Sequence, residues 1–296
     1  MNIYSAISSN VRKTYFIMFL FVVVITTLVY IFTKATGYNS SYAVIALVIA
    51  IGSSVGSFFY SDKIVLATSG ARPINNASAP EVYNLLENLT IGAGMPMPKL
   101  YLINDPVANA FATGRDPKHA VVAVTTGLLE RLNKAELEGV LAHELSHVKN
   151  FDTRLMMITA VLVGFIAILS DFFMRSLWFR DSDDRDSRSG SIFLVVGIIF
   201  AILTPLIASL IQLAVSRKRE FLADASGALL TRYPDGLAKA LEKIASDPHP
   251  NRAATNATAH LYIINPFKGK SSGHWFASLF NTHPPIQERI KILREM

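Results

Sequence analysis

The segment Leu141–Val161 reads LAHELSHVKNFDTRLMMITAV, and its two halves have very different compositions. The first half carries two histidines four residues apart, His143 and His147, with Glu144 next to the first. The second half, from Leu155 onward, is almost entirely apolar. A polar cluster with the spacing of a metal site therefore comes directly before a stretch that has the composition of a membrane span.

The composition of the whole chain is that of a membrane protein. Of its 296 residues, 51% are hydrophobic and 17% are charged, whereas an average soluble domain carries about 25% charged residues. Four stretches account for the excess, and each approaches the roughly 20 apolar residues that a bilayer span needs. They predict transmembrane helices at residues 14–34, 42–60, 155–174 and 191–215. The first has no small-residue cleavage site after it, so we expect a retained anchor and not a signal peptide.

The positions of the basic residues predict the orientation in the membrane. The net charge is +6, but the basic residues flank the hydrophobic stretches, as at Arg12 and Arg217, and do not form a block with interleaved aromatic residues. This is the positive-inside pattern, and it argues against a nucleic-acid partner. We expect a multi-pass protein of the cell membrane with the polar loop 175–190 outside. The parts expected in the cytoplasm are residues 1–13, 61–154 and 216–296.

The segments between and after the spans predict a small domain with both helices and strands. Apolar residues at helical spacing follow Ser78. The short runs KLYLIND, NAFATG and AVVAVTTG are typical of strands. A helix beginning near Lys134 should carry both histidines, and THPPIQERIKILREM should form a last helix. The predicted fold class is mainly helical α+β, with four transmembrane helices and a cytoplasmic domain that combines the histidine helix with a small β-sheet.

The histidine pair has the geometry of a zinc site. On a helix, His143 and His147 lie one turn apart on the same face, so their imidazoles can reach one point. Glu144 lies about 100° round the helix, where its carboxylate could contact a metal-bound water. The alternative is a pair of surface histidines at a helix end. Because the chain has no cysteine, a third ligand must be another histidine or a carboxylate.

Glu220 is the leading candidate for the third ligand. The third and fourth predicted spans form a hairpin with a short outer loop, so their inner ends should meet. His147 lies just before this hairpin and Glu220 just after it. Asp224, one helical turn further on, could accept a hydrogen bond from a ligand histidine and orient it. A solvated helix face is the alternative for both acids.

Four sequence features together resemble the HtpX family of bacterial membrane zinc metalloproteases and, more distantly, the CAAX prenyl proteases. They are HELSH, the pair Glu220 and Asp224 within SRKREFLAD, NAFATG, and THPPIQERI. Their order and the four-span layout extend the resemblance over nearly the whole chain. It implies a zincin-like cytoplasmic protease domain that binds one Zn²⁺ through His143, His147 and Glu220. It also implies that Glu144 is the general base of peptide-bond hydrolysis.

Two further groups are candidates for contact with the substrate. His283 and Arg289 lie in the HPPIQER motif, which recurs in the family, and could stabilise the oxyanion. A helix start and a surface charge are their alternative roles. NAFATG could be an edge strand that pairs with extended substrate backbone, although an interior strand is also possible. The residues concerned are Asn109, Ala110, Phe111 and Ala112.

The expected function is that of a membrane zinc endopeptidase in protein quality control and the stress response. Its partners would be unfolded or membrane-embedded protein substrates and the lipid bilayer; the sequence does not predict an oligomeric state. An intramembrane protease would place HExxH within an apolar span, but residues 134–150 are too charged. A transporter would need ionisable groups in mid-span, where only Asp171 comes close. An inactive zinc-binding scaffold would keep the ligands without needing Glu144.

Overall fold

The computed structural model describes residues 3–36, 39, 41–178, 217–247 and 284–296, and the fold is mainly helical α+β, as predicted. The helices are α1 Ile3–Thr36, α2 Ser41–Thr68, α3 Pro80–Ala93, α4 Thr126–Arg131, α5 Lys134–Lys149, α6 Asp152–Trp178, α7 Arg217–Thr231, α8 Pro234–Ala245 and α9 Ile286–Arg294. The strands are β1 Arg72–Pro73, β2 Lys99–Ile103, β3 Ala110–Thr113 and β4 Val121–Thr125.

Helices α1 and α2 contain two segments that are long and apolar enough to cross a membrane, Ile7–Ile31 and Ser41–Thr68. Both expose large hydrophobic side chains, such as Phe19 at 67% and Val48 at 65%. Surfaces of this kind suit contact with lipid. The third predicted span lies within α6, which continues to Trp178, past the predicted start of the outer loop. The rest of that loop and the predicted span 191–215 lie outside the described residues.

The three long helices pack against one another through a common apolar core. One face of α1 contributes Ile17, Phe21, Ile25 and Leu28, which repeat at helical spacing. This face packs with apolar residues of α6, including Leu155 at its first turn, and with α2. Helix α6 therefore packs against α1 and α2, and it begins directly after the helix that carries His143 and His147.

The sheet has four strands in the order β1-β2-β4-β3. Strands β2 and β4 are parallel, and the other two pairs are antiparallel. Strand β3 lies at one edge, where it pairs with β4 on one side and lies against α5 on the other. Within the part of the chain that the structure describes, the NAFATG stretch thus contributes the edge strand of the sheet.

A second apolar core joins the sheet to α3, α5, α8 and α9. The apolar face of α3 is buried as its spacing predicts, with Gly94 ending the helix in a left-handed conformation. Helix α5 begins at Lys134, as predicted, because Asn133 and Glu136 form a capping box at its first turn. This helix is buried along most of its length, so the histidines it carries lie inside the protein and not on its surface.

Candidate metal centre

His143 and His147 of α5 point their imidazoles at one place. Both side chains are buried, and their Nε2 atoms are 3.1 Å apart. The rings are nearly perpendicular, with centroids separated by 4.7 Å. Because four residues on a helix span just over one turn, this convergence follows directly from the sequence spacing.

Glu220 of α7 completes a group of three ligand atoms. Its Oε2 is 3.8 Å from His143 Nε2, and its Oε1 is 3.5 Å from His147 Nε2. One ligand atom from each of His143, His147 and Glu220 lies within 4.8 Å of the other two. Ligands held at about 2.0–2.2 Å from a tetrahedral zinc ion are roughly 3.3–3.6 Å apart. The spacing therefore fits a single zinc-sized ion after shifts of a few tenths of an ångström.

Helix α7 reaches this position because a glycine faces α5. A Cβ atom at Gly227 would lie only 3.0 Å from the backbone nitrogen of His143. Glu220, Asp224 and Gly227 recur at intervals of four and three residues, so they share one face of α7. The close approach at Gly227 therefore brings the two carboxylates of that face against the histidine helix.

Asp224 contacts the Nδ1 side of the His143 ring. Its Oδ1 lies 2.9 Å from His143 Nδ1. Since a carboxylate only accepts hydrogen bonds, the proton belongs on Nδ1, and Nε2 is left to bind a metal. Burial by itself would raise the pKa of Asp224. The charge of Arg289 and the hydrogen bond with His143 outweigh burial and hold this pKa well below its ordinary value. Asp224 is therefore ionised.

Arg289 of α9 lies behind these carboxylates. Its Nε donates to Asp224 Oδ2 at 2.8 Å, its Nη2 donates to Oδ1 at 2.7 Å, and its Nη1 is 3.4 Å from Glu220 Oε2. The guanidinium is fully buried. In this arrangement it positions Asp224 and balances the negative charge of both acids. The other candidate for the oxyanion, His283, lies outside the described residues.

Asp152, which the motif analysis did not identify, makes the corresponding contact with His147. Its Oδ2 is 3.1 Å from His147 Nδ1, so the His147 Nε2 also faces the metal position. Helix α5 ends at Lys149 with Asn150 as its C-cap, Phe151 adopts a left-handed conformation with φ 59°, and Asp152 begins α6. The available signal in the sequence was an acid five residues after the second histidine of HExxH, just before an apolar stretch.

The environment of His147 favours its protonated form when no metal is bound. Burial lowers its pKa, but the hydrogen bond with Asp152 and the charge of Glu220 outweigh burial and raise the pKa to about 9. A metal ion at this position would take over the role of that proton in balancing the buried carboxylates.

Glu144 lies between the ligand group and the edge strand. Its Oε2 accepts a hydrogen bond from the backbone N–H of Ala112 at 2.8 Å. Burial raises its pKa, and the neighbouring histidines only partly oppose this effect. A buried carboxylate with raised proton affinity, adjacent in sequence to a candidate ligand and outside the group of three ligand atoms, has the properties of a general base.

Comparison with known proteins identifies the family. Residues 76–296 match peptidase family M48. The chain is 46% identical over 293 residues to a protease HtpX homologue of Dictyoglomus turgidum, covering 99% of this chain and 94% of the relative. It is 42% identical over 298 residues to the homologue of Caldanaerobacter subterraneus, covering 99% and 98%.

A solved structure shares the fold. The crystal structure of S. mikatae Ste24p superposes with a TM-score of 0.50 at 20% sequence identity, over 90% of this chain and 61% of that one. The resemblance to HtpX inferred from the motifs is confirmed by the matches at the sequence level. The chain belongs to peptidase family M48 and is a membrane metalloprotease homologous to HtpX.

Proposed function

We propose that the chain is a zinc-dependent endopeptidase in which His143, His147 and Glu220 bind one Zn²⁺ and Glu144 is the general base. The observation that carries this proposal is the convergence of three buried ligand atoms beside a second acid, Glu144, which lies outside that group and accepts a hydrogen bond from strand β3. Two histidines and one glutamate are a known ligand set of catalytic zinc, which keeps one position open for water. Zinc bound there would lower the pKa of a bound water to about 7 and polarise the carbonyl of the scissile bond.

Glu144 supplies the proton transfers in this mechanism. Its carboxylate accepts a proton from the attacking water and returns it to the leaving amine. Burial raises its pKa, which brings its proton affinity closer to that of the groups it must deprotonate and protonate. Its hydrogen bond with the Ala112 N–H fixes the carboxylate beside strand β3. The base is therefore in place before a substrate arrives.

Strand β3 provides a binding edge for the substrate backbone. Because Ala112 directs its N–H toward Glu144 and not toward β4, its carbonyl also points away from the sheet. The same holds for Ala110, two residues earlier, whose N–H is taken by the side chain of Asn109. An extended peptide that donates its N–H groups to the outward carbonyls of Ala110 and Ala112 would lie next to Glu144. Recognition through the backbone requires little side-chain selectivity, which suits unfolded substrates.

The site lies at the membrane surface in the proposed topology. Helix α6 begins at Asp152, five residues after His147, and continues into the third hydrophobic stretch. With spans at residues 14–34, 42–60, 155–174 and 191–215, the protease domain comprises residues 61–154 and 216–296 on the cytoplasmic side. Misfolded or damaged membrane proteins and their cytoplasmic segments are the substrates within reach of such a site, in a quality-control role.

The test compares wild type with Glu144→Gln, using detergent-purified protein, casein as unfolded substrate and measurement of bound zinc. Zinc in both proteins and cleavage reduced by about 10²–10⁴-fold in Glu144→Gln supports the enzyme. Glu138→Gln on the same helix is the matched control and should cleave like wild type. If Glu144→Gln cleaves like wild type, the general-base assignment is wrong. If both bind zinc and neither cleaves casein or a membrane-protein substrate, the inactive scaffold is the better interpretation.

A further inference from the structure

Helix α1 carries a buried polar residue at the end of its apolar face. The face formed by Ile17, Phe21, Ile25 and Leu28 continues one and two turns earlier through Thr14 and Asn10. Thr14 is completely buried and Asn10 is 2% exposed. Burying a carboxamide in such a position is unfavourable unless all its hydrogen-bonding groups find partners.

The Asn10 carboxamide has three partners, and all of them lie next to the metal centre. Its Nδ2 donates to Asp152 Oδ1 at 2.7 Å and to the backbone carbonyl of Asn150 at 2.9 Å. Its Oδ1 accepts a hydrogen bond from Arg219 Nη1 at 3.2 Å. Asn10 thus connects α1 to the turn between α5 and α6 and to α7, across 140 and 209 positions in the sequence.

Asp152 transmits this contact to a proposed metal ligand. Its Oδ1 is held by Asn10 and by Arg219 Nε, the latter at 3.1 Å, while its Oδ2 contacts His147 Nδ1. The carboxylate cannot rotate without breaking at least one of these contacts. Its orientation in turn fixes the plane of the His147 ring and the direction of Nε2.

The second contact of Asn10 stabilises the turn that places Asp152. The Asn150 carbonyl lies at the end of α5, where no further helical turn supplies a donor. The next residue, Phe151, is in the left-handed region, which is unfavourable for a bulky side chain. The hydrogen bond from Asn10 therefore holds the turn in the conformation that directs Asp152 at His147.

We propose that Asn10 is a positioning residue of the metal centre, acting through Asp152 on His147, so that α1 is part of the catalytic apparatus as well as a membrane anchor. This inference rests on the proposed metal centre. The contact on the other histidine is built differently, because His143 is held by Asp224 of α7 and Arg289 of α9. The two contacts can therefore be tested separately.

The test measures the zinc dissociation constant by competition with a chelator, on full-length protein in detergent. Replacing a group that orients a ligand histidine typically weakens metal binding by about 10–100-fold. We expect Asp152→Asn to fall in this range and Asn10→Leu to weaken binding by roughly 3–10-fold, since it acts one contact further out. Asn10→Asp, which keeps the shape but loses both donors, should also weaken binding. Thr14→Val is the control from the same face, and it should bind zinc like wild type.

A double-mutant cycle distinguishes positioning from a general loss of stability. Asn10→Leu should weaken zinc binding little further when Asp152→Asn is present, because its effect passes through Asp152. Combined with Asp224→Asn, it should retain its full effect.

Wild-type zinc affinity in Asn10→Asp or Asn10→Leu, or full additivity with Asp152→Asn, overturns the positioning role while leaving the metal centre intact. If wild type itself binds no zinc, the proposed metal centre fails as well. If Asn10→Leu does not fold, the isosteric Asn10→Asp provides the comparison.

Discussion

Gly227→Ala tests how closely α7 must approach α5 for the metal centre to form. The added Cβ would lie 3.0 Å from His143 N and 3.3 Å from His143 Cα and the carbonyl carbon of Ala142. Ordinary contact begins near 3.4 Å, so α7 must move away by roughly 0.4 Å. Metal–ligand distances in a formed site lie within about 0.2 Å of their ordinary values. The shift would move the backbone of Glu220, two turns away on the same face, by more than this, in the direction away from the histidines.

The expected effects on stability and on zinc binding can be separated. Overpacking costs about 1–3 kcal/mol, while alanine in place of glycine within a helix gains about 1 kcal/mol. Metal-free Gly227→Ala should therefore be destabilised by about 0–2 kcal/mol, as measured by thermal denaturation in detergent. Its zinc affinity should fall by about tenfold, which corresponds to about 1.4 kcal/mol, because the flexible Glu220 side chain recovers only part of the displacement.

Gly92→Ala is the matched control. The added Cβ would meet only the end of the Leu230 side chain, at 3.4 Å, near the end of α3. This variant should be as stable as wild type or slightly more so, with unchanged zinc affinity. The reasoning is refuted if Gly227→Ala behaves in the same way as Gly92→Ala in both measurements.

Three further predictions concern the groups around the ligands. Asp224→Asn should weaken zinc binding by about 10–100-fold, measured by chelator competition; unchanged binding would show that Asp224 does not orient His143. The pKa of His147 without metal is about 9, and zinc binds only the unprotonated ring. Zinc affinity should therefore fall about tenfold for each pH unit below 9, and zinc binding should release a proton. An affinity that does not change between pH 7 and pH 9 would contradict this. Arg289→Lys should lower stability by about 1–3 kcal/mol through loss of the bidentate contact, whereas Arg294→Lys, on the exposed side of α9, should not; equal denaturation curves would exclude this role for Arg289.

Local sequence was sufficient for several parts of the structure. The start of α5 follows from the capping residues Asn133 and Glu136, which interact over three positions. The convergence of His143 and His147 follows from helical geometry, because a separation of four residues places them on one face. The apolar lengths of α1 and α2 likewise indicated membrane helices. In each case the interacting groups are close in sequence, so a periodic or adjacent pattern reports them.

The approach of Glu220 was accessible only in outline. The hairpin argument and the family motifs indicated that it lies near the histidines. The distance itself depends on Gly227, which the sequence presents only as a weak point in a helical pattern and not as a packing contact. The role of Arg289 was also open, because its buried contacts with Asp224 and Glu220 join residues more than 60 positions apart.

What the sequence by itself determined is the set of ligands that one helix can present and the membrane character of the chain. Only the tertiary structure decided which groups hold those ligands in place. Asn10 appears in the sequence as one polar residue before a hydrophobic helix, and nothing local distinguishes it. Its role follows from the packing of α1 against α6, which buries its carboxamide beside Asp152. Buried polar groups take the partners that long-range packing brings to them, and no sequence periodicity records that choice.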